Sequence, residues 1–108
     1  MNDLSAANAF AALGSASRVA LLRLLVRAGT HGMNVSQLRE ATGTPATTLT
    51  HHLGKLVQAG LVRQERAGRE RRCRADYCTI RAIGAFLMED CCAGAFEPRG
   101  EPCCSTTD

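Results

Sequence analysis

Residues 47–62 read TTLTHHLGKLVQAGLV, and this stretch decides the fold. Leu49, Leu53, Leu56 and Val57 recur at helical spacing, so a helix over residues 46–59 turns that face inward. The opposite face carries Thr47, Thr48, Thr50 and His51, small polar groups that no core requires. Gly60 ends the helix, and Leu61-Val62 begins a strand. Upstream, Gly43-Thr44-Pro45 is a tight break, with Pro45 suited to the first turn of the helix that follows. Before that break, Ser36 is the expected N-cap of a short helix over residues 37–42.

Working outward, the strand that starts at Leu61 meets a turn signal at Ala67-Gly68. A polar strand then runs to about Ala75, which predicts a β-hairpin. Arg66, Arg69, Arg71 and Arg72 straddle its tip. A last helix over residues 76–88 sets Tyr77, Ile80, Ile83, Gly84 and Leu87 along one side. At the other end, residues 4–13 form an alanine-rich helix closed by Gly14. Ser15 or Ser17 caps a second helix to about Ala28, with Leu21, Leu24 and Leu25 inward and Arg18, Arg23 and Arg27 outward. Residues 33–35 have room for a very short strand only.

At 108 residues, 45% hydrophobic but with aromatics limited to Phe10, Tyr77, Phe86 and Phe96, the chain suits one small helical domain. Domains of this size often gain stability by pairing. There is no signal peptide and no run of about eighteen apolar residues, so the expectation is a soluble, cytoplasmic protein with no membrane partner. The net charge of +3 is mild, but arginines crowd residues 63–74. Taken alone, such a run is as readily a solvated face as a ligand site.

Helix and hairpin together favour the ligand. A major groove admits a helix whose exposed groups are small and polar: threonine hydroxyls reach phosphates or base edges, and threonine methyls meet thymine methyls. Arginine forks at the hairpin tip suit phosphate. The reading is a mainly α (α+β) winged helix-turn-helix with five helices and a small β-hairpin wing. Its double-stranded DNA contacts are expected at Ser36, Gln37, Thr47, Thr48, Thr50, His51, Arg66, Arg69, Arg71 and Arg72. The domain proper would span residues 1–90, followed by a cysteine-rich sensor tail over residues 91–108.

That tail holds two adjacent pairs, Cys91-Cys92 and Cys103-Cys104, amid Gly94, Pro98, Gly100 and Pro102. Six cysteines in a reducing cytosol argue against a disulfide framework, and soft thiolate sets select soft ions. Zinc favours C-x2-C spacing over adjacent cysteines. A thiol reductase would want a C-x5-R loop, and Arg99 lies seven positions after Cys92 and eight after Cys91. No P-loop, dinucleotide fingerprint or Ser/His/Asp arrangement is present, so no enzyme and no organic cofactor are expected. Cys73 is expected to pack within the wing, Cys78 to stand far from the tail, His31 to lie in a loop, and His52 to be packed or phosphate-facing.

Residues 47–62 resemble the recognition-helix signature of the ArsR/SmtB family of metalloregulatory repressors. Residues 12–25, ALGSASRVALLRLL, are similar to that family's helix before the short strand. Gly68-Arg69 and Arg74-Ala75-Asp76-Tyr77 are similar to its wing and the start of its last helix. The resemblance covers about residues 4–92. It implies a homodimer paired through the first and last helices, bound to an inverted-repeat operator and released by an inducer.

Two of the family's sensing sites lack their ligands here. Residues 34–38, NVSQL, contain no cysteine, and residues 76–90 contain no histidine. Residues 89–92, EDCC, resemble members that sense arsenite through a C-terminal vicinal pair. Trivalent arsenic takes three thiolates in a pyramid. Cys91 and Cys92 would supply two, and Cys103 or Cys104 the third, with antimonite as a second candidate inducer. A thiol redox switch of the same fold, or a cytosolic metal-buffering protein, are the alternatives.

Overall fold

Nearly every helix opens on a side chain that serves its own backbone. The computed structural model describes residues 1–91. Helix α1 (Asp3–Ala12) starts at Asn2, whose Oδ1 accepts the Ser5 N–H at 2.8 Å. Ser15 caps α2 (Ala16–Ala28), and Asp76 caps α5 (Tyr77–Met88). Helix α4 (Ala46–Gln58) is the exception: Pro45 stands at its N-cap, one residue before the expected first turn, and offers no side-chain acceptor.

Helix α3 (Val35–Thr42) corrects an expectation. Asn34, not Ser36, caps it. The Asn34 Oδ1 accepts the Gln37 N–H at 2.8 Å, and the Gln37 Oε1 accepts the Asn34 N–H at 2.9 Å. A reciprocal box satisfies two orphan donors where a lone serine satisfies one, so the helix begins two residues early. Gly43 then takes a left-handed conformation, φ 69°, and turns the chain into α4.

The hairpin of β2 (Val62–Ala67) and β3 (Glu70–Ala75) forms as expected. The short strand β1 (Met33–Asn34) docks on its far side, giving an antiparallel sheet in the order β1-β3-β2. Gly32 makes that docking possible. A Cβ there would collide with the Cys73 carbonyl oxygen and lie 2.6 Å from Arg74 Cγ.

The core joins α2, α3, α4 and the wing base. Leu25, Leu38, Leu49, Leu53, Leu56, Leu61, Val62 and Cys73 are fully buried within it. Strand β3 is therefore not polar throughout, because Cys73 and Ala75 face the core. Leu22 rather than Leu24 completes the buried face of α2. Val57 is 37% exposed, since the α4 core stripe is centred on Leu49, Leu53 and Leu56 and Val57 lies about 100° round the helix from Leu56. Arg18, expected to face outward, folds back onto the Ala12 carbonyl.

The outermost helices are only half covered. Ile83 alone is buried on α5, while Leu87 is 60% exposed; on α1, Leu4 is 70% exposed and Phe10 is also exposed. No single described helix is long and apolar enough to cross a membrane.

Candidate nucleic-acid interface

Burying Leu49, Leu53 and Leu56 rotates the rest of α4 into solvent. Thr47, Thr48, Thr50 and His51 are all exposed, as expected, and share the outer surface of the first turns. With no side-chain cap at Pro45, the leading N–H groups of α4 keep their donors beside these hydroxyls. The positive end of a helix dipole is concentrated at such a terminus. The sequence carried the signal, a proline before three small residues, although it was read only as helix punctuation.

Alternation along the hairpin divides the wing arginines. Val62 pairs with Ala75, Gln64 with Cys73 and Arg66 with Arg71, so one face runs from core to a cross-strand arginine pair. The other face alternates in sign. Arg74 pairs with Glu65, and Arg72 pairs with Glu70 at 3.3 Å. Arg72 and Arg74 also reach the loop after α2, donating to the carbonyls of His31 at 3.1 Å and Thr30 at 3.4 Å. Among the described residues, Arg66, Arg69 and Arg71 form no ion pair with a carboxylate.

Ser36 joins this unpaired group. It lines a cleft of about 320 Å³ together with Asn34, Val35, Arg69, Glu70 and Arg71, where the start of α3 faces the wing tip and the Glu70 carboxylate is engaged by Arg72. Gln37 is exposed, but its amide oxygen is occupied by the Asn34 cap, leaving only its NH2 to contact a ligand. Arg72 is half-buried and committed to Glu70 and His31. Arg74, left out of the expected set, belongs with it as a fastener of the wing.

The first turns of α4 thus expose hydroxyls and His51, and the wing exposes arginines that pair with no carboxylate among the described residues. Residues 13–65 match a helix-turn-helix domain family model. An ArsR-like transcriptional regulator from Rhodococcus sp. RHA1 is 28% identical, with a TM-score of 0.69 over 78% of this chain and 76% of that one. A crystal structure of an ArsR family transcriptional regulator is 27% identical with a TM-score of 0.69, over 80% of this chain and 91% of that one.

The chain shares its winged helix-turn-helix fold with ArsR-family transcriptional regulators.

A third ArsR-like structure, from Mycobacterium bovis, is 26% identical with a TM-score of 0.63, over 81% of each chain. It is the homodimeric winged helix-turn-helix DNA-binding domain of a possible ArsR-family regulator. No functionally curated relative matches the chain.

The cysteines of the chain separate by environment. Cys73 is buried, with Gln64 Nε2 donating to its Sγ at 3.6 Å. Burial pushes its thiol above the ordinary range, against smaller opposing effects of Gln64 and Arg71. That is the expected packing role. Cys78 is exposed in the first turn of α5. Cys91 is exposed just beyond the end of α5, where its N–H donates to the Met88 carbonyl at 3.0 Å. Cys92, Cys103 and Cys104 lie outside the described residues. Among the described residues, no three His, Cys, Asp or Glu side chains converge as an ion site.

Proposed function

We propose that this chain is an ArsR-family homodimeric repressor that holds an inverted-repeat operator and releases it when trivalent arsenic binds its C-terminal thiols. The observation that carries the DNA half is the exposure of Thr47, Thr48, Thr50 and His51 on α4, of Ser36 on α3, and of Arg66, Arg69 and Arg71 on the wing, the three arginines making no ion pair with a carboxylate among the described residues. Helix α4 would enter the major groove, while the wing-tip arginines grip phosphate on the flanking backbone. Exposed Leu4 and Phe10 on α1, with Leu87 and Met88 on α5, supply the apolar surface for pairing. The homodimeric Mycobacterium bovis domain supports that reading.

The inducer half rests on ligand chemistry. Cys91 and Cys92 would hold the ion at the end of α5, and Cys103 or Cys104 would complete a three-thiolate set, with antimonite able to take the same site. Residues 91–108 are thus assigned as the sensor segment and residues 1–90 as the DNA-binding and pairing domain. Because the sensor segment continues α5, capture of the ion would repack the pairing helices and shift the two α4 helices out of register with successive grooves. Bound DNA must then weaken arsenite by the same factor. Each coordinating thiol must also lose a proton.

The test is a mobility-shift titration on a promoter fragment with an inverted repeat, adding arsenite, antimonite, zinc and peroxide separately. Release by arsenite but not zinc supports the proposal. Release by peroxide alone would reassign the segment as a redox switch, and no binding at low salt would overturn the DNA reading.

A further inference from the structure

We propose that the cleft between α1 and the C-terminal half of α4 is a binding site for a small oxyanion, a carboxylate or a phosphate. The cleft encloses about 450 Å³, within the range of small-molecule sites. Lys55 and Gln58 line it from α4 and Asn8 from α1, while Arg18 closes it from α2. Ala11, Ala12 and Ala59 form an apolar floor, and among the described residues no carboxylate lines the cleft. Two cations and two carboxamides therefore share one concave space with no counter-charge among the described residues.

The guanidinium is already oriented. Arg18 Nε donates to the Ala12 carbonyl, and NH1 lies against His52 Nδ1. A planar fork has five N–H donors, so these two contacts leave others unused on a side chain that lines the cleft. A ligand meeting a side chain held in place avoids much of the usual ordering cost. The alanine floor lowers the local dielectric and strengthens any charge-assisted bond made above it. The negative end of the α4 dipole opposes an anion here. It amounts to about half an elementary charge, against two whole cations.

Neither part of the proposed repressor function uses this cleft. Lys55 lies eight residues beyond Thr47, about 12 Å along α4 at the helical rise. None of the exposed apolar residues assigned to pairing lines it. An occupant would bridge Asn8 on α1 to Lys55 and Gln58 on α4, and so tie the outer helix to the one that carries the threonines.

The test uses the full chain without DNA, so its failure is separate from any failure of operator binding. Amide NMR is followed during titration with inorganic phosphate, with succinate, and with chloride at matched ionic strength. The expected result is a saturable shift at Asn8, Lys55, Gln58 and Ala59 with phosphate, succinate or both, which also identifies the ligand source. Lys55→Gln, a surface change that keeps most of the stem, should weaken that binding on the order of tenfold. Shifts that chloride reproduces, shifts that never saturate, or a Lys55→Gln variant that binds as before would each overturn the proposal.

Discussion

The guanidinium of Arg18 lies 3.4 Å from Nδ1 of His52, while its Nε donates to the Ala12 carbonyl at 2.5 Å. One side chain from the first turn of α2 thereby ties the last turn of α1 to the middle of α4. The contact requires an unprotonated Nδ1, because a guanidinium only donates. His52 is held below its ordinary 6.5, first by desolvation and then by Arg18 and His51.

A depressed histidine pKa means the folded chain binds fewer protons than the unfolded one. The contribution is complete above pH 6.5 and is lost as pH falls through the lower folded value. Thermal unfolding should therefore show a loss of stability on acidification below pH 6.5. In His52→Gln, which keeps an acceptor but cannot titrate, that component should be absent. An unchanged pH profile in the variant would show that His52 does not couple protons to folding. Arg18→Ala should cost about 1–2 kcal/mol at neutral pH, by orphaning the Ala12 carbonyl and losing the tie to α4.

The two faces of the wing should separate in mutagenesis. Arg66→Ala, Arg69→Ala and Arg71→Ala remove cations that have no acidic partner among the described residues. Each should weaken DNA binding across sequences and reduce the salt slope by about 0.9 per lost phosphate contact, with little change in melting temperature. Arg72→Ala and Arg74→Ala cut ties to Glu70, Glu65 and the loop carbonyls of His31 and Thr30 instead. They should lower thermal stability, by about 1 kcal/mol or less per surface ion pair, and leave a smaller mark on the salt slope. Equal salt slopes for both sets would dissolve the distinction.

Periodicity made most of the fold legible, because a leucine at every third or fourth place and a Gly-marked hairpin each have one economical solution. The apolar spacing of α4 also determined which residues would be outside it, so Thr47, Thr48, Thr50 and His51 were readable directly. What escaped were long-range partnerships of polar groups. Asn34 and Ser36 both have cap chemistry, and only the reciprocal bond from Gln37 decides between them. Arg72 and Arg66 look alike in sequence. Strand alternation puts them on opposite faces, and only one face has carboxylates. Arg18 turned inward because an unsatisfied helix-end carbonyl and a histidine on a distant helix waited there.

Gly32 is the narrowest constraint in the sheet. At φ 71° it already favours glycine, and an added Cβ would collide with the Cys73 carbonyl oxygen. Gly32→Ala should part β1 from β3 and loosen the loop that anchors Arg72 and Arg74. A loss above about 1 kcal/mol is expected, from backbone strain alone. Amide exchange should rise at Met33 and Asn34 ahead of the α4 core. Unchanged protection there would mean that the strand pair tolerates the methyl group.

The sensor assignment turns on Cys91, the one member of its proposed thiolate set within the described residues. It sits three residues past the last turn of α5, next to Asp90 at φ 59°. An ion held at that point would act on the end of α5 itself, not on a distant loop. Cys91→Ser with Cys92→Ser should leave operator affinity intact, since both follow α5 in sequence and neither is among the α4 or wing residues proposed to meet DNA. Arsenite should then fail to release the DNA, and proton release on adding arsenite should fall in parallel. Cys78→Ser is the control, because Cys78 lies in the first turn of α5, about 15 Å along the helix from Met88 by its rise, and Cys91 lies beyond that far end. If the double variant still lets go of DNA on arsenite addition while Cys78→Ser does not, the inducer acts at the other end of α5, and the sensor segment has been placed at the wrong terminus of that helix.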